Sequence, residues 1–145
     1  MNLKRVELFF EFLIFGLIFG IIEDLIVIEN ITREHITLSM FWVIFFVAFL
    51  FAFFSEVLVD DIDFLKLLKL SKKHKLLEIF MEFLVVGIIL GVFEDLIVLY
   101  LSTGASITLR SIRIAVLVAI PFAFVGEVLV DSYDFVTLFK KMAKN

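Results

Sequence analysis

Long apolar runs broken by short polar stretches set the architecture of this chain. Residues 6–28, 37–59, 77–101 and 108–130 are made almost wholly of Ile, Leu, Val, Phe, Ala and Gly. Crossing the hydrocarbon of a bilayer takes roughly 20 apolar residues as a helix, and each run has that length. Lipid offers no partner to a backbone N–H or C=O, so a spanning segment must satisfy them within itself. The pattern predicts an all-α integral membrane protein with four transmembrane helices, 6–28, 37–59, 77–101 and 108–130.

The second pair of runs repeats the first. Sliding the sequence against itself by 71 residues, with no gap, matches 33 of 74 positions. "GIIEDLIV" from Gly20 falls on "GVFEDLIV" from Gly91, "ITL" from Ile36 on "ITL" from Ile107, and "EVLVD" from Glu56 on "EVLVD" from Glu127. A fixed period of this kind is the signature of a tandem duplication. The chain therefore divides into repeat 1 (1–65), a basic amphipathic linker (66–76) and repeat 2 (77–145). Two spans per unit make the helical hairpins parallel, related by a pseudo-twofold axis along the membrane normal.

Composition agrees with the pattern: 63% of residues are hydrophobic, 20 are Phe, and the mean hydropathy is +1.14. Cysteine is absent, which removes disulfides and thiolate metal ligands. The net charge of −4 hides a segregation that matters more. Ten bases (Lys4, Arg5, Lys66, Lys69, Lys72, Lys73, Lys75, Lys140, Lys141 and Lys144) lie on one side of the predicted spans, against three (Arg33, Arg110 and Arg113) on the other. By the positive-inside rule both termini are cytoplasmic, with the cell membrane as the expected location. Glu7 and Glu11 interrupt the apolar run after "MNLKR", so the first segment is read as a retained span rather than a signal peptide.

Small residues recur at helical spacing. Gly16 and Gly20 form a GxxxG repeated by Gly87 and Gly91, while Ala48 and Ala52 are repeated by Ala119 and Ala123. These are the positions expected to carry helix packing. Thr37 and Thr108 are expected N-caps, and Pro121 is expected to free the carbonyl of Leu117 and kink its helix.

The acids are the unusual feature, because each charged carboxylate placed at a helix centre costs about 2.5–3.5 kcal/mol on insertion scales. They fall in two layers. A cytoplasmic layer contains Glu11, Glu56, Asp60, Glu82, Glu127 and Asp131 as candidate metal or proton ligands, and an outer layer contains Glu23, Asp24, Glu94 and Asp95. Acids without basic neighbours in lipid call for a proton or a cation, and an all-oxygen ligand set suits hard ions. No resident cofactor is required; a bound Ca, Mg or Mn ion is the candidate. The expected function is a small transporter or channel for hard divalent cations or protons, acting as a homodimer in the lipid bilayer, with no nucleic acid involved. Within each Glu-Asp pair the sequence leaves open which acid faces the axis.

A second reading makes the chain a non-catalytic membrane scaffold or complex subunit whose acids pair with a partner's bases. Arg110 and Arg113 offer a further alternative, internal salt bridges to Glu94 and Asp95. His35 and His74 lie outside the spans, and no Glu-x-x-His pair, phosphate loop or hydrolase triad is present, so an enzyme is not expected.

Overall fold

The structure is a computed structural model that describes residues 3–61 and 75–132; the side chains of 3–8, 11, 56, 58–61, 75–83, 127 and 130–132 lie outside that description. The described chain forms four helices: α1 (Leu3–Thr32), α2 (Leu38–Asp61), α3 (Lys75–Thr103) and α4 (Leu109–Ser132). Each extends a little beyond the apolar run that predicts it, because the flanking polar residues can close further turns. At the end of α1, the Asn30 amide donates to the Ile26 carbonyl at 2.7 Å and the Thr32 hydroxyl to the Ile28 carbonyl at 2.9 Å. Ser102 and Thr103 finish α3 in the same manner, donating at 2.6 Å to Val98 and Leu99. These side chains fold back one turn and give second donors to carbonyls that the helix already engages, an exchange open to Ser, Thr and Asn near a helix end.

The two connectors begin with the same device. Arg33 follows α1 with φ of 56°, and Gly104 follows α3 with φ of 69°. Both amides return a hydrogen bond of 3.0 Å, from Arg33 to the Glu29 carbonyl and from Gly104 to the Tyr100 carbonyl. Left-handed backbone is natural for glycine and strained for arginine, so the first connector holds a cost that the second avoids. The next helices open on the predicted caps. Thr37 Oγ1 accepts from the Met40 amide at 3.3 Å, and Thr108 Oγ1 from the Ser111 amide at 3.2 Å. Ser111 also takes the Thr108 amide at 2.6 Å, a reciprocal arrangement that Met40 cannot provide.

Packing follows the small residues. A Cβ built on Gly16 would touch Ala52 Cβ at 3.4 Å, and one on Gly20 would touch Ala48 Cβ at 3.4 Å, so α1 and α2 run antiparallel with their backbones close. A Cβ built on Gly87 would likewise stand at 3.5 Å from Ala123 Cβ, and one on Gly91 at 3.5 Å from Ala119 Cβ, which ties α3 to α4. In lipid such contacts stabilise through dispersion rather than through hydrophobic transfer, and close approach multiplies them. The two pairs then associate through α1 and α3, which meet directly, while α2 and α4 each pack on both. Ile28, Met40, Ile44, Val47 and Val98 form a buried cluster across α1, α2 and α3. Phe19 of α1 meets Phe122 of α4 edge to face at 5.6 Å between ring centroids. Pro121 stands inside α4 without ending it.

The exterior is apolar, and the interior, itself mostly apolar, encloses two acids, Asp24 and Asp95. Phe10, Ile14, Ile18, Ile22 and Ile26, spaced four apart along α1, are all exposed, and Val85, Ile89, Phe93 and Ile97 do the same on α3. Exposed apolar surface on this scale has a stable environment only in lipid. Three helices, through their segments Leu38–Ser55, Leu84–Thr103 and Leu109–Gly126, are long and apolar enough to cross a membrane, which makes this an integral membrane protein. Helix α1 is equally long, but Glu11, Glu23, Asp24 and Glu29 leave no span-length part of it as free of charge.

Candidate intramembrane carboxyl site

The contact between α1 and α3 carries four carboxylates. Asp24 and Asp95 are each only 1% exposed, the most enclosed acids among the described residues. Their position follows from the glycines one turn earlier. Because Gly20 has no side chain, Glu94 of α3 can lay its carboxyl over the α1 backbone; a Cβ on Gly20 would come within 3.1 Å of Glu94 Oε1. Gly91 receives Glu23 of α1 reciprocally, with Glu23 Oε1 at 3.2 Å from the equivalent point. Each glutamate thus reaches across to the other helix and sits in the notch its glycine leaves. The aspartates, next along each chain and about 100° around the helix, are left to face one another. Asp24 and Asp95 interact with each other, and both interact electrostatically with Glu23. Which acid of each pair faces the centre thus has an answer: the aspartates oppose each other and the glutamates clasp the neighbouring helix.

Among the described residues, no donor reaches this site. Both oxygens of Asp24, both of Asp95, and Oε1 of Glu23 and of Glu94 are buried without a hydrogen-bond partner. Arg110 and Arg113 are exposed, and neither satisfies Asp95 or the buried Glu94 oxygen. The internal salt bridges considered from sequence are therefore not the counter-charge of this site. The α2 and α4 surfaces against it are Ala48 and Ala119, each 1% exposed. Burying several like charges without donors or bases costs several kcal/mol per ion, so the fold demands a neutralising partner here.

Glu11, Glu56, Asp60, Glu82, Glu127 and Asp131 belong to the four helices, but their side chains lie outside the described residues. Gly16, Gly20, Gly87, Gly91, Ala48, Ala52, Ala119 and Ala123 all stand at the contacts within the two helix pairs. Periodicity did not reveal that Gly20 and Gly91 serve the acids as well as the alanines. The clue was present in the spacing, since each glycine stands one turn before the acid that is seated on the other helix. Among the described residues, no three acid or histidine side chains are arranged to hold a metal ion. Comparison with protein-family models, with curated proteins and with solved structures finds no match to the chain.

Proposed function

We propose that the protein is a small membrane transporter or channel for cations, in the class of hard divalent ions and protons, and that Glu23, Asp24, Glu94 and Asp95 form a station on its path. One observation carries the reading: four carboxylates from two helices converge at a buried contact of an apolar bundle, with no base or donor among the described residues to neutralise them. Ionisable groups in such places mark ion and proton routes. The arrangement proposed is four spans in two parallel hairpins, with both termini on the cytoplasmic side and the chain pairing with a second copy. Glu11, Glu56, Glu82 and Glu127 are proposed as the cytoplasmic station, with Asp60 and Asp131 at its edge. The burial of Asp24 and Asp95 supports transport over a scaffold role, because a partner's Lys or Arg could reach them only by displacing a helix.

Reconstitution into liposomes tests this reading. Purified protein facing an imposed gradient of Ca2+, Mg2+, Mn2+ or protons is expected to dissipate at least one of them, read with an internal ion-sensitive dye. The same protein carrying Asp24→Asn and Asp95→Asn should fall to the level of empty liposomes. Protein that is folded by circular dichroism and moves none of the four would refute the proposal.

A further inference from the structure

We infer that the carboxyl quartet is entered from the end of the bundle where α1 and α3 begin, and that Val27, Ile28, Val98 and Leu99 are the gate that shuts it from the connectors. The inference rests on the reading of the quartet as a station on a cation path, and it adds the side of access. Burial is uneven along the bundle. Toward the connectors, the residues one turn beyond the aspartates are Val27 and Ile28 on α1 and Val98 and Leu99 on α3, all 0% exposed. Met40 and Ile44 of α2 and Ser111 and Ala115 of α4 complete that half, none more than 6% exposed. Ile28, Met40, Ile44 and Val98 pack with Val47 into one apolar cluster. The single polar side chain in this group, Ser111, is committed to Thr108, donating to its carbonyl at 2.8 Å. A layer that offers an ion no ligand holds back water and ions alike, as hydrophobic constrictions do.

The other half is looser. Beyond Gly20, Gly91 and the alanines seated on them, Leu13 is the only buried side chain among the described residues. Two helical turns past Ala48 and Ala119, the same faces of α2 and α4 present Ser55 and Gly126. The alanines are 1% exposed, whereas Ser55 and Gly126 are half-buried. A Cβ built on Gly126 would meet no described residue within 4 Å, so that face borders open space. The hairpins also part here. Gly20 and Gly91 are met by an acid of the other hairpin, but among the described residues Gly16 and Gly87, one turn earlier, would be met within 4 Å only by Ala52 and Ala123 of their own hairpins. Phe19 and Phe122, both half-buried, make an aromatic contact that still joins the hairpins near this level.

Helix geometry aims the acids the same way. Helical side chains tilt toward the N-terminus and cover the turn before their own Cα. Both α1 and α3 start at the looser end, so the acids lean toward it, and the seats of the glutamates on Gly20 and Gly91 lie on that side of the aspartates. Val27, Ile28, Val98 and Leu99 lean in the same direction, which lays them over the aspartates as a cap. Glu23 and Glu94, half-buried where the aspartates are enclosed, are the members that an entering cation meets first.

Cysteine accessibility tests the inference, because the chain contains no cysteine and a single introduced thiol reports without background. Oriented proteoliposomes, with no cation gradient imposed, are treated from each side with a membrane-impermeant thiol reagent. Ser55→Cys, nearly isosteric, is expected to react from the side where α1 begins and not from the connector side. Val98→Cys is expected to be protected from both sides, and trimming the gate with Ile28→Ala and Leu99→Ala should abolish its protection from the connector side. Protection of Ser55→Cys from its own side, reaction of Val98→Cys in the untrimmed protein, or protection that survives trimming overturns the inference. Should the trimmed protein fail to fold, the two single cysteines still decide. Cation flux in liposomes together with Val98→Cys reactive from the connector side would refute the side of access and leave the transport reading standing. The expected labelling with no flux of any cation would do the reverse.

Discussion

Replacing Gly20 by Ala isolates the interaction on which the site is built. In a helix interior alanine is favoured over glycine by about 1 kcal/mol, so an uncrowded position should gain from the change. Gly16 is such a position: its added Cβ would meet only Ala52, at an ordinary 3.4 Å from Cβ to Cβ. At Gly20 the same Cβ would stand at 3.1 Å from Glu94 Oε1, closer than carbon and oxygen normally approach. Overpacking of a tight interior costs about 1–3 kcal/mol, which cancels or exceeds the helix gain. Gly16→Ala is therefore expected to be neutral or stabilising, and Gly20→Ala to be less stable than it by about 1–3 kcal/mol. Thermal and denaturant unfolding in detergent measure both. Truncating the opposing side chain supplies the control. In a Glu94→Ala background the penalty at Gly20 should disappear, giving a coupling energy of about 0.5–3 kcal/mol in a double-mutant cycle. If Gly20→Ala is as stable as Gly16→Ala, or if its cost survives the loss of Glu94, the clasp of Glu94 over Gly20 does not exist.

Asp24→Asn supplies Asp95 with an amide donor that it otherwise lacks and should raise the melting temperature, while Asp24→Ala supplies none and should be less stable than Asp24→Asn by about 1–3 kcal/mol; equal melting temperatures would contradict this. Arg33→Gly should stabilise the first connector by about 1 kcal/mol by relieving its left-handed backbone, and Gly104→Ala should destabilise the second by about 1–2 kcal/mol, both read by denaturant unfolding. Thr108→Ala removes a cap in reciprocal contact with Ser111 and should cost about 1 kcal/mol, with Thr37→Ala no more harmful. Neutralising exposed Arg110 and Arg113 to Gln should shift stability by no more than about 0.5 kcal/mol; a larger loss would mean that they do pair with the acids.

The helices were legible because lipid admits few alternatives to an uninterrupted apolar run of span length. The caps were legible because Thr37 and Thr108 stand where a run begins, and their hydroxyls can do little else there. Glycine and alanine spacing identified the contact positions, since only small residues let two backbones approach. What one helix's periodicity could not carry was the fit between helices. The opposition of Asp24 to Asp95 depends on how α1 lies against α3, and that is decided by where Glu23 and Glu94 find room. The left-handed geometry at Arg33 was equally hidden, because arginine gives no local signal for it; Gly104, at the matching place in the second connector, was the only hint. Helix α1 also shows the limit of reading spans by hydropathy. Glu29 stands where α3 has Tyr100, and that one acid is enough to set the two otherwise similar helices apart.

The crossed seats of Glu23 on Gly91 and of Glu94 on Gly20 also make a latch. Each helix is held by a side chain of the other, and both catches open along the same direction of travel. A slide of α1 along α3 by one turn, about 5.4 Å, would vacate both notches together and part Asp24 from Asp95 in the same movement. Both seats and the approach of the two aspartates therefore depend on a single register of α1 against α3.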